Sequence, residues 1–247
     1  MVRLLGLFEA IAASPDGLSL AELSLRLGSP KSSLLMLLRP LAAGGYLHHR
    51  DGRYRLGAVI FEFAQRILGS RQTSVLVRAA MEELWERSGE TVILTAIDRA
   101  AEVVTYVECL DSPQMVRYVV PAGTVRPLYC SAAGQLLLAF QDRPYQDSYL
   151  AKARLEAMTP DTITDAGQLR LRLDDILVAG MSRSHHEAIL GAAGIAVPIR
   201  LAGNEVRQAL LVAGPADRLK HAQKKLQLIL RDVSRRLSSS LGYQPGA

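Results

Sequence analysis

Three breaks cut the first 45 residues into short pieces: Ser14-Pro15-Asp16-Gly17, Gly28-Ser29-Pro30 and Gly44-Gly45. Pairings of Gly, Pro, Ser and Asp stop regular structure, so three short helices are expected rather than one long one. The first spans residues 2–13, with Leu4, Leu5, Leu7, Phe8 and Ile11 at helical spacing. Ser19 opens the second and Glu22 follows three residues later, the spacing of a capping box. Leu20, Leu23 and Leu27 form its apolar stripe, and Gly28 closes it. The third is expected to start with Ser29 as N-cap and Pro30 at the first helical position. It runs through Leu34, Leu35, Leu37, Leu38 and Leu41, and Pro40 within it predicts a kink. Tyr46–Arg50, Asp51-Gly52 and Arg53–Leu56 then predict a hairpin on a favoured two-residue turn.

Two short helices joined through a glycine turn outline a helix-turn-helix. With the basic-tipped hairpin added, the pattern is a winged helix-turn-helix. The chemistry at its edge suits a nucleic acid. Lys31, Ser32 and Ser33 fall in the first turn of the third helix, where hydroxyls and backbone N–H groups suit phosphates and base edges. Ser19, Ser29, Leu35 and Arg39 complete the candidate helix contacts, and Arg50 and Arg53 flank the wing tip. The charge agrees: residues 1–68 sum to +3, residues 69–215 to −3 and residues 216–247 to +5. A basic segment beside an acidic one points to two tasks, the first with a polyanion. The C-terminal excess lies on one expected helix, where a solvated face is the ordinary explanation.

The 247 residues leave room for two domains. Residues 58–70 resemble a linker helix, with Phe61, Ala64 and Leu68 at helical spacing, and a new helix is expected from Thr73 through Leu76, Met81, Leu84 and Trp85. Strands are expected at Val92–Ile97, Val103–Cys109, Gln114–Val120, Gly194–Leu201 and Val206–Val212. Helices are expected at Ser131–Phe140, through most of 147–180, and at 216–241. Strands mixed with packed helices give an α+β domain. Cys109 and Cys130 are too few for a disulfide framework. No apolar run is long enough to cross a membrane, so the expected location is cytoplasmic, without a membrane partner. The tail from Gly242 to Ala247 carries no structural signal.

The ordered motifs resemble the IclR family of transcriptional regulators. Leu20-Ala21-Glu22-Leu23, Pro30-Lys31-Ser32-Ser33, Gly45-Tyr46 and Tyr54-Arg55-Leu56-Gly57 carry the resemblance in the first domain. Gly89-Glu90-Thr91-Val92, Pro127-Leu128, Ser131-Ala132-Ala133-Gly134, Thr162-Ile163-Thr164-Asp165, Glu187, Gly191, Ala196-Val197-Pro198 and Gly214-Pro215 extend it over almost the whole chain. One departure lies mid-way along the recognition helix. The family commonly has a basic residue there, and this chain has Met36, with Arg39 one turn later.

The resemblance implies residues 1–57 as a DNA-binding domain, 58–72 as a linker helix and 73–247 as a GAF-like effector-binding and oligomerisation domain. It implies double-stranded operator DNA as partner, a near-palindromic site, and a homo-dimer or homo-tetramer. It places a small-molecule effector near Tyr129, Ser131, Ala132, Ala133, Ser184, Glu187, Ala192, Gly194, Leu211 and Ala213. Ala192, Gly194, Leu211 and Ala213 are small or apolar, which fits an apolar ligand, an aromatic one included, and equally fits close packing of strand on helix. No cofactor, metal or catalytic residue is expected. Two alternatives stay open: a second domain that only oligomerises, and an enzyme using Cys130-Ser131 or His185-His186-Glu187.

Overall fold

Gly28 ends its helix in the left-handed conformation at φ 57° and ψ 30°, a geometry that costs a residue with a Cβ more than it costs glycine. The helix it ends, α2 (Leu20–Leu27), opens with both halves of the capping box. Ser19 Oγ accepts from the Glu22 N–H at 3.3 Å, and the Glu22 carboxylate accepts from the Ser19 N–H at 2.7 Å. Together with α1 (Val2–Ala12) and α3 (Lys31–Ala43) it encloses a core of Leu7, Ile11, Leu23, Leu34 and Leu38. β2 (Leu47–Arg50) and β3 (Arg53–Leu56) form the hairpin. Its turn residues Asp51 and Gly52 both have positive φ, 55° and 72°, as the turn that matches strand twist requires. A two-residue strand not foreseen in the sequence, β1 (Leu18–Ser19), pairs with β3 and completes a three-stranded sheet, β1-β3-β2.

The computed structural model describes residues 2–14 and 16–244, with side chains except at 2, 3 and 61–72. Pro15 and residues 245–247 lie outside the described residues, as do the side chains of Phe61, Ala64 and Leu68. The chain divides into two compact units, Met1–Thr73 and Ser74–Ala247.

Three expectations need correction. Ser29 does not cap α3. Its hydroxyl donates to the Leu27 carbonyl at 3.2 Å, and Pro30 takes the cap position without a side-chain hydrogen bond. Residues 58–88 form one helix, α4 (Ala58–Ser88), rather than a linker followed by a second helix. That stretch holds no proline and a single glycine, so nothing interrupts its hydrogen-bond ladder. The strand expected at 114–120 is absent. Pro113 and Pro121 bracket the segment and offer no N–H to a ladder. Side chains pin it instead: Thr91 Oγ1 donates to the Tyr118 carbonyl at 2.6 Å, and Ser112 Oγ to Gly89 at 2.7 Å. The stretch 147–180 is mostly helical as expected, in α6 (Arg143–Lys152) and α7 (Ala166–Ala179), with residues 153–165 between them outside helix.

The second unit is built on a six-stranded antiparallel sheet. In chain order its strands are β4 (Thr91–Asp98), β5 (Val103–Leu110), β6 (Val125–Pro127), β7 (Ser182–His185), β8 (Ala192–Arg200) and β9 (Val206–Pro215). Their spatial order is β6-β5-β4-β9-β8-β7. Period-two alternation divides their side chains between two faces. One face packs Ile93, Val104, Ala196, Leu211 and Ala213 against α5 (Ala132–Ala139) and α7. The other packs Val92, Ile195, Leu210 and Val212 against α8 (Ala216–Ser240) and Met81 and Leu84 of α4. Trp85 packs beside this second core and donates Nε1–H to the Asp111 carbonyl at 2.7 Å. The sheet is therefore covered by helices on both faces.

Candidate functional site

In the first unit, Leu34 and Leu38 turn into the core and so fix which face of α3 remains outside. That face carries Lys31, Ser32, Met36 and Arg39, all exposed, with Ser33 and Leu35 half-buried at its margins. Met36 is 78% exposed on the same face as Lys31 and Arg39. Pro30 provides no side-chain cap, so the first-turn N–H groups of α3 are not satisfied by a capping side chain. A helix start in that condition favours an anion. Arg50 stands at the wing tip, held only by a 3.9 Å contact with Asp51 across two highly exposed side chains.

The other sequence candidates are engaged inside the fold. Ser29 is 7% exposed and bonded to Leu27. Ser19 is committed to the capping box. Arg53 donates to the Gly17 carbonyl at 2.8 Å and pairs with Glu22 at 3.4 Å, tying the wing to the start of α2. The Ser19 backbone N–H holds the Glu22 carboxyl below its ordinary value, with Arg53 a smaller contributor. The structure thus gathers Lys31, Ser32, Ser33, Leu35 and Arg39 on one face with Arg50 nearby in the same unit, and assigns scaffold contacts to Ser19, Ser29 and Arg53.

In the second unit a cavity lies where α5 meets β8 and β9. It is lined by Ser131, Ala132, Ser184, Ala192, Gly194, Leu211 and Ala213, and also by Tyr106, Tyr118, Ala188, Ile189 and Ala193. Its volume is about 30 Å³, room for about two waters. A Cβ added at Gly194 would stand 3.0 Å from Leu211 Cδ1 and 3.6 Å from the Ala132 Cβ. Small residues here therefore serve close packing and leave a narrow void as well. The two tyrosines were not foreseen. Tyr106 looks like any strand aromatic, and Tyr118 sits in the segment read as a strand.

Polar groups at this cavity are partly committed. Ser184 Oγ accepts the Ala132 N–H at 3.3 Å, and Ser131 Oγ accepts the Gly134 N–H at 3.1 Å. Both N–H groups belong to the start of α5, so that helix end is less open than the sequence implies. Three predicted ligand residues do not line the cavity. Ala133 is packed in the core. Tyr129 donates its hydroxyl to the Glu156 carbonyl at 2.8 Å. Glu187, only 6% exposed, accepts from Gln135 Nε2 at 2.6 Å and lies 3.6 Å from an Arg172 nitrogen. Its backbone carbonyl accepts from Thr162 Oγ1 at 2.6 Å. Glu187 thus joins α5, α7 and the 159–162 turn. Burial raises its carboxyl above the ordinary value, against the opposing pull of Gln135 and Arg172.

The catalytic candidates have unsuitable surroundings. Burial pushes the Cys130 thiol up to about 11, which leaves little thiolate at neutral pH. His185 and His186 have ring centroids 6.5 Å apart, and His186 Nδ1 accepts from the Gly191 N–H at 2.9 Å. Among the described residues, no three His, Cys, Asp or Glu side chains form a group able to hold a metal, and no helix is long and apolar enough to cross a membrane.

Residues 1–51 match the family model of the IclR helix-turn-helix domain, and residues 65–239 match the bacterial transcriptional regulator IclR C-terminal domain. The chain is 32% identical over 220 residues to the HTH-type transcriptional regulator Rv1719 of Mycobacterium tuberculosis, covering 88% of this chain and 83% of that one. It is 28% identical over 249 residues to the HTH-type transcriptional regulator KipR of Bacillus subtilis, covering 98% and 97%. Among solved structures, it is similar to an IclR homolog from Microbacterium hydrocarbonoxydans complexed with 4-hydroxybenzoate. That match has a TM-score of 0.64 and 25% identity, and covers 97% of this chain and 98% of that one.

Proposed function

The chain belongs to the IclR family of bacterial transcriptional regulators, and from that premise we propose that it is a ligand-responsive DNA-binding regulator with its operator contacts on α3 and the wing. The exposed face of α3 carries this reading. Lys31 is an exposed cation at a helix start with no side-chain cap, and Arg39 is exposed two turns further along the same helix, cations of the kind that phosphate positioning uses. Leu35 and Met36 lie between them and supply apolar contacts of the kind that meet thymine methyl groups. One short helix reads few base pairs, so the active form is a homo-dimer or homo-tetramer on a near-palindromic operator. Residues 1–57 form the DNA-binding domain, 58–72 the linker and 73–247 the effector domain in this reading.

The effector is a small organic molecule held in the cavity under α5. Its apolar lining and two tyrosines suit an aromatic compound, and the relative complexed with 4-hydroxybenzoate supports that class. A space of about 30 Å³ takes no aromatic ring, so binding must select a wider state. The apparent affinity is then the intrinsic affinity reduced by the population of that state. The ligand alters DNA binding only through its different affinities for the two states. The narrowness of the cavity also favours a second reading, in which the domain oligomerises without a ligand.

Gel-shift titration with the intergenic DNA upstream of its own gene, backed by genome-wide DNA selection, tests the main reading. A specific complex lost in Lys31→Ala combined with Arg50→Ala supports it. No specific site by either method would overturn it. A thermal shift from a member of a metabolite panel separates the two readings of the second domain.

A further inference from the structure

The geometry points to a second ligand site in the second unit, separate from the cavity under α5, where three arginines of β8 and α8 hold the phosphate group of a small phosphomonoester. A cavity of about 230 Å³ opens where the end of α7, the end of β8 and α8 meet beside Tyr243. Arg200, Arg231 and Arg235 line it, and among the described residues no carboxylate does. On α8, residues 231, 234, 235 and 238 follow the three- and four-residue spacing of one helix face. Arg231 and Arg235 therefore reach the cavity from the same side as Ser234 and Ser238. Arg200 ends β8, and its N–H donates to Ser238 Oγ at 3.1 Å. Ser238 is 1% exposed and only accepts in that bond, which leaves its own hydroxyl proton for a ligand.

The fold leaves these three charges unmatched. Arg231 is exposed and has no hydrogen bond or ion pair among the described residues. Arg235 lies 3.6 Å from Asp232, but that carboxylate is nearer to Arg87 at 3.0 Å and to Arg236 at 3.3 Å. Arg200 meets neutral groups. It donates to Asn204 Oδ1 at 2.6 Å, and its guanidinium lies 4.7 Å from the Phe140 ring centroid and 5.4 Å from that of Tyr243. The arginines that serve the scaffold differ: Arg87 and Arg236 share Glu83 and Asp232. Three cations facing one space repel one another, and an anion there would relieve that repulsion. Ala179 and Gly180 also line the cavity, but the end of α7 sets only about half a negative charge against three positive ones.

The charge selects the class of anion. A phosphomonoester carries about −1.5 to −2 at neutral pH and three acceptor oxygens, and guanidinium forks match phosphate in bidentate fashion. A carboxylate brings one charge. A DNA duplex brings one charge per phosphate and is too wide to enter a cavity of this size. Val197, Pro198 and the Tyr243 ring offer apolar walls to the carbon part of the ester.

Calorimetric titration of the full chain at fixed salt tests this with glycerol 3-phosphate and ribose 5-phosphate, against glycerol, ribose, inorganic phosphate and sulfate. At least one ester should bind, its parent alcohol should not, and both inorganic anions should be weaker than that ester. Arg231→Gln combined with Arg235→Gln should raise the ester Kd about 10-fold or more, since each removes a charge-assisted hydrogen bond. The corresponding pair of lysine substitutions should recover part of the loss. Thermal unfolding of both double variants checks that they fold. Neither ester binding at millimolar concentration, or an affinity unchanged in the glutamine variant, would overturn the site. Sulfate or phosphate bound as tightly as the esters would reduce it to a general anion surface and also overturn it. Affinity for random-sequence duplex DNA lost in the glutamine variant, with no ester bound, would assign the arginines to DNA instead. None of these outcomes depends on the effector reading above.

Discussion

Lys31 and Ala132 occupy the same place in their helices, the first residue of α3 and of α5. Lys31 is exposed at a start that no side chain caps. Ala132 is 1% exposed, its N–H is taken by Ser184, and Ser131 caps the helix it opens. One helix end is left open toward solvent and the other is closed by its own fold. The difference separates two ways of making a site. On α3 the core uses Leu34 and Leu38, so Lys31, Met36 and Arg39 can change without touching it. Under α5 the residues that would meet a ligand are themselves the core, so each binding contact is also a packing contact. Variants of the first site should alter DNA affinity at constant stability, whereas variants of the second should alter both.

The sharpest expected break is Gly134→Ala. A Cβ there would lie 2.5 Å from the Leu128 carbonyl oxygen and 2.8 Å from its Cα, and backbone cannot yield as a flexible side chain does. Destabilisation of about 3 kcal/mol or more is expected by denaturant unfolding. A loss under 1 kcal/mol would show that α5 is less tightly seated than described. Arg218→Ala should cost somewhat less, about 2–3 kcal/mol. It strands Glu90, 5% exposed and gripped by two Arg218 nitrogens at 2.5 and 2.6 Å. Arg218 is a third exposed, which places the effect at the low end. Arg218→Lys should recover only part of it, because one ammonium cannot replace two parallel bonds.

Glu187 gives a smaller effect with a pH signature. Its folded carboxyl titrates above the ordinary 4.5 because it is buried. The stability it contributes is therefore complete below about 4.5 and is lost as pH rises through the folded value. Glu187→Gln lacks that loss. Its stability relative to wild type should rise from pH 4.5 to pH 8, as followed by urea unfolding at several pH values. A difference that stays flat would mean that Arg172 and Gln135 compensate the burial fully. Lys31→Ala lies at the other extreme. It should weaken operator binding several-fold, lower the slope of log K against log salt by about one, and leave unfolding within about 0.5 kcal/mol of wild type. A stability loss larger than that would erase the contrast between the two sites.

Local chemistry was legible in the sequence wherever it was sufficient. The Ser19–Glu22 capping box, the Gly28 cap and the Asp51-Gly52 turn are decided within four residues, and each stands where the pattern predicted. Ser29-Pro30 shows the limit, because two residues competed for one cap and burial turned Ser29 inward. The segment 114–120 misled for a related reason. Its apolar run favours a strand, yet Met115, Val116 and Val119 are exposed and no ladder forms. In the cavity under α5, the lining residues Ala132, Gly194, Leu211 and Ala213 could be carried across from family motifs. Tyr106 and Tyr118 could not, because their place depends on which face β5 turns inward and on how the segment 114–120 packs. Glu187 was legible only as a motif residue: that its carboxylate would accept from Gln135 and face Arg172 depends on how α5 and α7 pack against it.

The central claim is that occupancy of the cavity under α5 and DNA binding are linked. Fluorescence anisotropy of a labelled operator, titrated with the chain at zero and saturating aromatic acid and at fixed salt, measures that link. The account predicts a change in operator Kd of about 5-fold or more, with the affinity for the acid changing by the same factor when operator is bound. An operator Kd unchanged at saturating acid, with binding of the acid confirmed by calorimetry, would contradict it.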